Sequence, residues 1–537
     1  MTFAASHLQA ADTSRFPAFN GGLRDLFSTL DDLLTCGGDP RLLLDPVSRL
    51  NDYRCGPSPL PQTLSFASST ASTISERAYE RAGLAREELM RSAIAVGFES
   101  ALETRIEEMR AELKAHLALP PTKVDVVFSP SGTDSQLHAL YLARLLLGEG
   151  LKTIIVGSDQ TGSGTPFTAR GRHFNRFTAS GVTVRKDTPV AGLACDSVMV
   201  PIADPSDIKP RADADLAVLD AVEAAVAGGS RVLLHVMDAS KFGWRVPSQG
   251  CLEAIAQHWG DKVLVVVDAC QMRLGRRRLR LLLDRGCMVL VTGSKFFGGP
   301  AFSGALLVPS SISSMLDGRQ AAASGMSDYA GRSDWPMAWT RLRSRFESRS
   351  NLGQWLRWEA ALEEIGAYYQ VPDTFRAKAL RDYRTGIESL LALSPSLQPV
   401  EAAAATDDDE FSEATIFPFT LHHNGRVLSA HECRMLHDAL AEDLSGVIDG
   451  SEEDRDLVAR RCLIGQPVRI ERLKAPAAAL RLCVGARLVT EAWSPDADVA
   501  RQNLQDQLDG IAEIIAKMEF LLALDGGTGM RGVSHGF

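Results

Sequence analysis

The 537-residue sequence lacks a CxxC pair, a basic excess, a long apolar run and an internal repeat, and each absence excludes a class of protein. Its nine cysteines are scattered, which fits reduced thiols better than a disulfide framework or a zinc site, so no metal is expected. Net charge is −10 and pI about 5.7, the reverse of what a non-specific nucleic-acid binder needs. No stretch approaches the ~18 uninterrupted apolar residues of a membrane-crossing helix. The opening MTFAASHLQAADTSRF has no basic segment followed by an apolar run, so no secretory signal is read and the cytoplasm is the expected location. Hydrophobic residues make up 45% and charged residues 23%, so the chain can bury a large core and is not mainly disordered.

The pattern of elements changes along the chain. Residues 1–105 form a mixed N-terminal segment holding a Pro/Ser-rich stretch at 55–75, read as an extended loop. A helix is expected over about 76–113. In a large domain over 106–312, short apolar runs alternate with helical stretches. The strand candidates are VDVVF, KTIIV, VTVR, SVMVPI, RVLLHV, KVLVVV, MVLVT and GALLV. Continuously apolar runs suit strands buried on both faces, and helices between them imply crossovers. The expectation is an α/β domain with a mostly parallel sheet in three layers. Connecting helices over 313–393 include GQWLRWEAALEEI, read as amphipathic. A smaller α+β domain over 394–537 ends in a helix that begins near Ser494-Pro495-Asp496 and has Leu504, Leu508, Ile511 and Ile515 on its apolar face. The acidic run 407–410 reads as a solvated loop.

Ligands of open α/β sheets sit at the carboxyl ends of the strands, and three such ends carry unusual residues. In VDVVFSPSGTDSQ a strand runs through a Ser/Gly turn into a helix. There Gly132 permits close approach, and free amides with the Ser131 and Thr133 hydroxyls suit a phosphate; a plain helix cap is the simpler alternative. Asp268 ends KVLVVVD, where a carboxylate needs a positive or donor partner unless it only caps a turn. Lys295 follows MVLVTGS, a place lysines avoid unless paired or chemically used, or else set on a surface loop. Together they match the needs of pyridoxal 5'-phosphate (PLP): a Schiff-base lysine, an acid for the pyridine nitrogen and a phosphate site.

Asp268-Ala-Cys-Gln271 followed 27 residues after its Asp by the lysine of Thr292-Gly-Ser-Lys295 resembles the fold-type I PLP-dependent enzymes, most closely the class V aminotransferase and cysteine desulfurase group. The resemblance spans about residues 129–485. It implies that Lys295 carries the cofactor and Asp268 faces the pyridine nitrogen. It also implies that Gln271 approaches the phenolic oxygen, that Gly132, Thr133 and Thr292 hold the phosphate, and that Ser294 adds a polar contact. LRLCVGARLVTEA resembles the family strand that offers an arginine, here Arg481, to the substrate α-carboxylate. Amino-terminal segments reach the substrate mouth in this fold, which nominates Arg54. A homodimer and an amino-acid substrate, with an anionic group suggested by TARGRHFNRF (Arg170, Arg172, His173, Arg176), complete the expectation.

Two departures stand out. The window where the family stacks an aromatic on the ring reads GSDQTGSGTPF, leaving Gln160 or Thr161 to cover it. In RRCLIGQPV the position of the desulfurase nucleophile falls on Ile464, with Cys462 two residues earlier, which disfavours desulfuration. The expected activity is a class V aminotransferase. The alternatives are a PLP-dependent lyase, an elimination–replacement or C–C bond-forming enzyme, and a non-catalytic scaffold of this fold. The run GRRRLR (Arg276–Arg278, Arg280) reads as a solvated helix face.

Overall fold

The computed structural model describes residues 22–204, 209–320, 323–400, 408–448, 450–470 and 477–525. Its strands, in chain order, are β1 (Leu64–Phe66), β2 (Val124–Ser129), β3 (Leu151–Val156), β4 (Asp196–Val200), β5 (Arg231–Met237), β6 (Val263–Asp268), β7 (Met288–Thr292), β8 (Gly304–Pro309), β9 (Leu397–Pro399), β10 (Ile416–His423), β11 (Arg426–Val427), β12 (Cys462–Ile470) and β13 (Ala477–Cys483). Strands β2 to β8 make one sheet in the order β2-β8-β7-β6-β5-β3-β4. The pairs β4·β3, β3·β5, β5·β6 and β6·β7 are parallel, while β8 runs against both β7 and β2. Parallel neighbours need crossovers, supplied by the helices Ala214–Ala227, Gln249–Trp259 and Arg276–Asp284.

Side chains alternate faces along a strand, and here both faces are buried. In β5, Val232 and Leu234 join one apolar cluster and Leu233 another, as do Val289 and Leu290 in β7. That arrangement puts a layer of helices on each side of the sheet, an α/β architecture in three layers. A second sheet, β1-β12-β13-β10-β11 with β9 on β10, forms the smaller α+β part, packed by the helix Ala497–Asp525. Its edge strand β1 comes from the N-terminal segment and pairs in parallel with β12, Leu64 opposite Cys462. Among the described residues, no helix is long and apolar enough to cross a membrane.

Several expectations change. The helix of 76–113 is two, Glu76–Val96 and Phe98–His116, because Gly97 at φ +85° takes a conformation other residues rarely adopt; the boundary at 105 falls inside the second. VTVR is not a strand. Its residues form a tight excursion closed by Gly181 at φ +81°, with Thr178 N–H donating to the Val182 carbonyl at 3.0 Å. GQWLRWEAALEEI lies in the helix Leu352–Gln370, buried on nearly every side rather than amphipathic. Its buried carboxylates are paired instead of solvated. Glu359 takes Arg105 at 2.7 Å and Arg81 at 3.1 Å, and Glu364 takes Arg77 at 2.5 Å.

The acidic run is a loop with Asp409 exposed, and it departs from the expectation at Asp408. Asp407 lies outside the described residues. Asp408 is buried and accepts the backbone N–H of Gly275 at 2.8 Å and of Glu410 and Phe411 at 3.0 Å each. The arginines of GRRRLR do lie on a largely exposed helix face, each with a partner. Arg276 stacks on Tyr369, Arg277 pairs with Asp409, Arg278 pairs with Asp238 and Arg280 donates to the Ala118 carbonyl.

Candidate active site

The carboxyl ends of β2, β3, β5, β6 and β7 face one cavity of about 470 Å³, closed from the other side by β12 and β13. The helix Gly132–Leu147 starts at its wall. Ser131 is the N-cap, its hydroxyl accepting the Asp134 N–H and donating to Asp134 Oδ2 at 2.5 Å. A Cβ on Gly132 would lie 2.6 Å from Cys270 Sγ and 3.1 Å from Thr292 Cγ2, so only glycine fits where this helix start meets the ends of β6 and β7. Thr292 Oγ1 donates to the Cys270 carbonyl at 2.6 Å. The hydroxyl protons of Ser131 and Thr292 are therefore engaged within the protein. Those of Thr133 and Ser294, which also line the cavity, bond to no described residue.

Asp268 ends β6. One carboxylate oxygen accepts the Cys270 N–H at 3.1 Å, and the other faces Gln136 Nε2 at 3.4 Å. Gln136 is itself oriented by Thr165 at 2.9 Å and Thr168 at 2.7 Å. The sequence reading missed Gln136. Its signal was its place four residues after Gly132, one helical turn along the same face. Gln271 donates to the Ser69 carbonyl at 2.9 Å and accepts from Arg273 at 2.8 Å. Lys295 follows β7, lines the cavity, and makes no ion pair with a described residue. Gln160 and Thr161 line it as well, and the buried Gln160 Oε1 has no partner.

Arg481 projects from β13 and is only 3% exposed. It donates to the Gln466 carbonyl at 2.9 Å and to Thr70 Oγ1 and the Lys241 carbonyl at 3.3 Å each, while its Nε has no partner. Burial pushes its guanidinium down from the ordinary value. Lys241, beyond the end of β5, also lines the cavity and went unnoticed in the sequence, although RVLLHV was read as a strand whose carboxyl end should face ligand. Burial first, then the nearby Arg481 and Lys295 charges, lower its ammonium to about 8.

Other nominated residues lie elsewhere. Arg54 is not part of the cavity wall; its guanidinium pairs with Asp438 at 3.5 Å and Glu442 at 3.4 Å, while Arg41 and Tyr53 of the same segment line the cavity. Arg170 and Arg172 turn to Asp187, His173 bonds Tyr329, and Arg176 lies over Phe177. Cys462 is buried outside the cavity, and burial lifts its thiol to about 11. Cys270 does line the cavity, but burial, reinforced by Asp268, holds its thiol far up and so protonated.

No family model and no curated protein matches this chain. Solved structures do. One is a lysine-to-alanine mutant of C-DES with glycine covalently linked to the PLP cofactor, at 15% identity and TM-score 0.48, covering 84% of this chain and 97% of that one. A NifS-like protein matches at 13% identity and TM-score 0.48, covering 84% and 99%. The complex of the cystine C–S lyase C-DES with its product cysteine persulfide matches at 15% identity and TM-score 0.45, covering 83% and 97%.

Proposed function

We propose that this protein is a PLP-dependent enzyme acting on an amino acid. The observation that carries the reading is the convergence of Lys295, Asp268 and the start of the helix Gly132–Leu147 on one cavity. The residues fit the cofactor. The notch at Gly132 keeps the helix amides open to a phosphate, whose charge the helix N-terminus favours. The hydroxyls of Thr133 and Ser294 are available as donors. Asp268, held by Gln136 and the Cys270 amide, is placed to keep a proton on a pyridine nitrogen. When bound, PLP supplies an electron sink for a bond at the substrate's α-carbon.

The chain's own residues do the rest. Arg481 offers a planar fork to the α-carboxylate, which fixes the orientation of the bond to be broken. Lys295 would hold the cofactor, and its amine would move a proton at the α-carbon. The buried and protonated thiols of Cys462 and Cys270 support neither as a nucleophile. Amino transfer is the reaction we infer. A lyase is the second reading, favoured by Gln160 and Thr161 standing where class V enzymes place a ring-stacking aromatic. The test has two stages. Purified protein with PLP should show a Schiff-base absorbance band, and borohydride should fix the cofactor on Lys295, as read by mass spectrometry; label elsewhere or none refutes the reading. A panel of amino acids with and without 2-oxo acids then separates transfer from lyase chemistry by its products.

A further inference from the structure

The walls of the cavity carry more positive charge than a cofactor phosphate and one carboxylate would use. Arg481 and Lys241 stand on the same wall, since the Arg481 guanidinium donates to the Lys241 backbone carbonyl at 3.3 Å. Arg481 meets only neutral acceptors, and its buried Nε is orphaned. Lys241 Nζ bonds to no described residue. Its loop is anchored beside the cofactor-covering segment by its own N–H, which donates to the Gln160 carbonyl at 3.4 Å. The carboxylates of the cavity are already engaged. Asp159 accepts the Ile202 and Ala203 N–H groups at 2.9 Å each, and Asp268 is held for the cofactor. Arg434 and Arg469 add positive charge at the exposed mouth. At this half-buried ammonium, desolvation and the Arg481 and Lys295 charges outweigh the attraction of the Asp159 carboxylate, so an arriving anion is favoured.

We propose that Lys241 forms a second anion subsite, so that the substrate is an amino acid whose side chain ends in an oxyanion, held by Lys241 while Arg481 holds the α-carboxylate. This rests on the PLP reading above and names its substrate class. A carboxylate and a sulfonate share the required chemistry.

The test uses PLP-loaded protein and non-reacting ligands, with affinity read by calorimetry. Succinate and 3-sulfopropionate should each bind about tenfold or more tighter than butyrate, and the tighter of the two names the side-chain group. Lys241→Gln should remove this preference and leave butyrate affinity within about twofold; Lys241→Arg, which keeps the charge, should retain it. Equal binding of mono- and dianions by the unmodified protein overturns the proposal. So does a Lys241→Gln protein that weakens butyrate and succinate alike, because Lys241 would then serve the α-carboxylate. Protein that takes no PLP at all sinks the broader reading, whereas PLP-loaded protein without dianion preference sinks only this one.

Discussion

Gly132, which opens the helix Gly132–Leu147, gives a sharp test of how tightly the three strand ends are joined. In Gly132→Ala the new Cβ meets Cys270 Sγ at 2.6 Å, closer than side-chain carbons come to neighbours, and Thr292 Cγ2 at 3.1 Å. Cys270 is buried and its backbone is held by Asp268, so the sulfur cannot swing far. Overpacking of this kind costs about 1–3 kcal/mol. Removing the sulfur alone, in Cys270→Ala, leaves a small cavity costing about 1 kcal/mol. In the double variant the first clash disappears, because Cys270 Cβ lies at an ordinary 3.6 Å. The two changes should therefore compensate, with a coupling energy of about 1–2 kcal/mol. Urea melts of the four proteins measure it, and PLP titrations should show the same pattern, with Gly132→Ala losing about tenfold in affinity and the double variant recovering most of it. Strictly additive energies would refute the reasoning, since they would mean that the sulfur is not what the added methyl meets.

Asp268→Asn should keep PLP binding near normal and lower turnover about 100-fold, some 2.7 kcal/mol, by steady-state kinetics; unchanged turnover would make Asp268 a turn residue only. Arg481→Lys should lower kcat/KM for a carboxylate-bearing substrate about 10–100-fold through loss of the planar fork, while a decarboxylated amine analogue is nearly indifferent. Cys462→Ala should leave turnover and the absorbance band intact; sulfide release from cysteine that vanishes in this variant would reverse the choice against desulfuration. Burial, with Asp39 next, raises the Asp134 carboxyl to about 7. The folded state thus holds a proton that the unfolded chain has released above about pH 4. This contribution to stability is full below that pH and lost as pH rises to about 7. The melting temperature of Asp134→Asn relative to the unmodified protein should climb over that interval and then level off.

Much of the large sheet was legible because its strands are buried on both faces and so read as unbroken apolar runs; RVLLHV and KVLVVV need no neighbours to be recognised. VTVR misled because its apolar residues sit on an exposed excursion, and four residues do not distinguish that from a strand. The helix Leu352–Gln370 misled for the opposite reason. Its Arg357, Glu359 and Glu364 look like a solvated face, and only the arginines of the distant helices Glu76–Val96 and Phe98–His116, and the carbonyls of Leu34 and Cys36, explain why they are buried. At the site, residues at strand ends could be named from spacing. Gln136 and Lys241 carried weaker signals of the same kind, one helical turn past Gly132 and just past a strand end, whereas Arg41 is selected only by proximity across loops. Arg54 shows the limit: its segment turns Arg41 and Tyr53, not Arg54, to the cavity.

The parallel pairing of β1 with β12 has a consequence for how the molecule is made. Leu64 emerges early during synthesis, yet its partner Cys462 is about 400 residues further along. Loop closure over such a span costs only slightly more than over a shorter one, about 0.6 kcal/mol per doubling, but contacts so distant in sequence form late and slow the search. Ser69, Thr70 and Ala71, a few residues past β1, are part of the cavity wall. The large sheet can assemble as soon as β8 is complete, while these three residues wait, without their strand partner, until β12 has left the ribosome. The wall formed by β12 and the N-terminal segment is therefore added at the end of folding, and a nascent chain stopped before β12 carries Lys295 and Asp268 at uncovered strand ends.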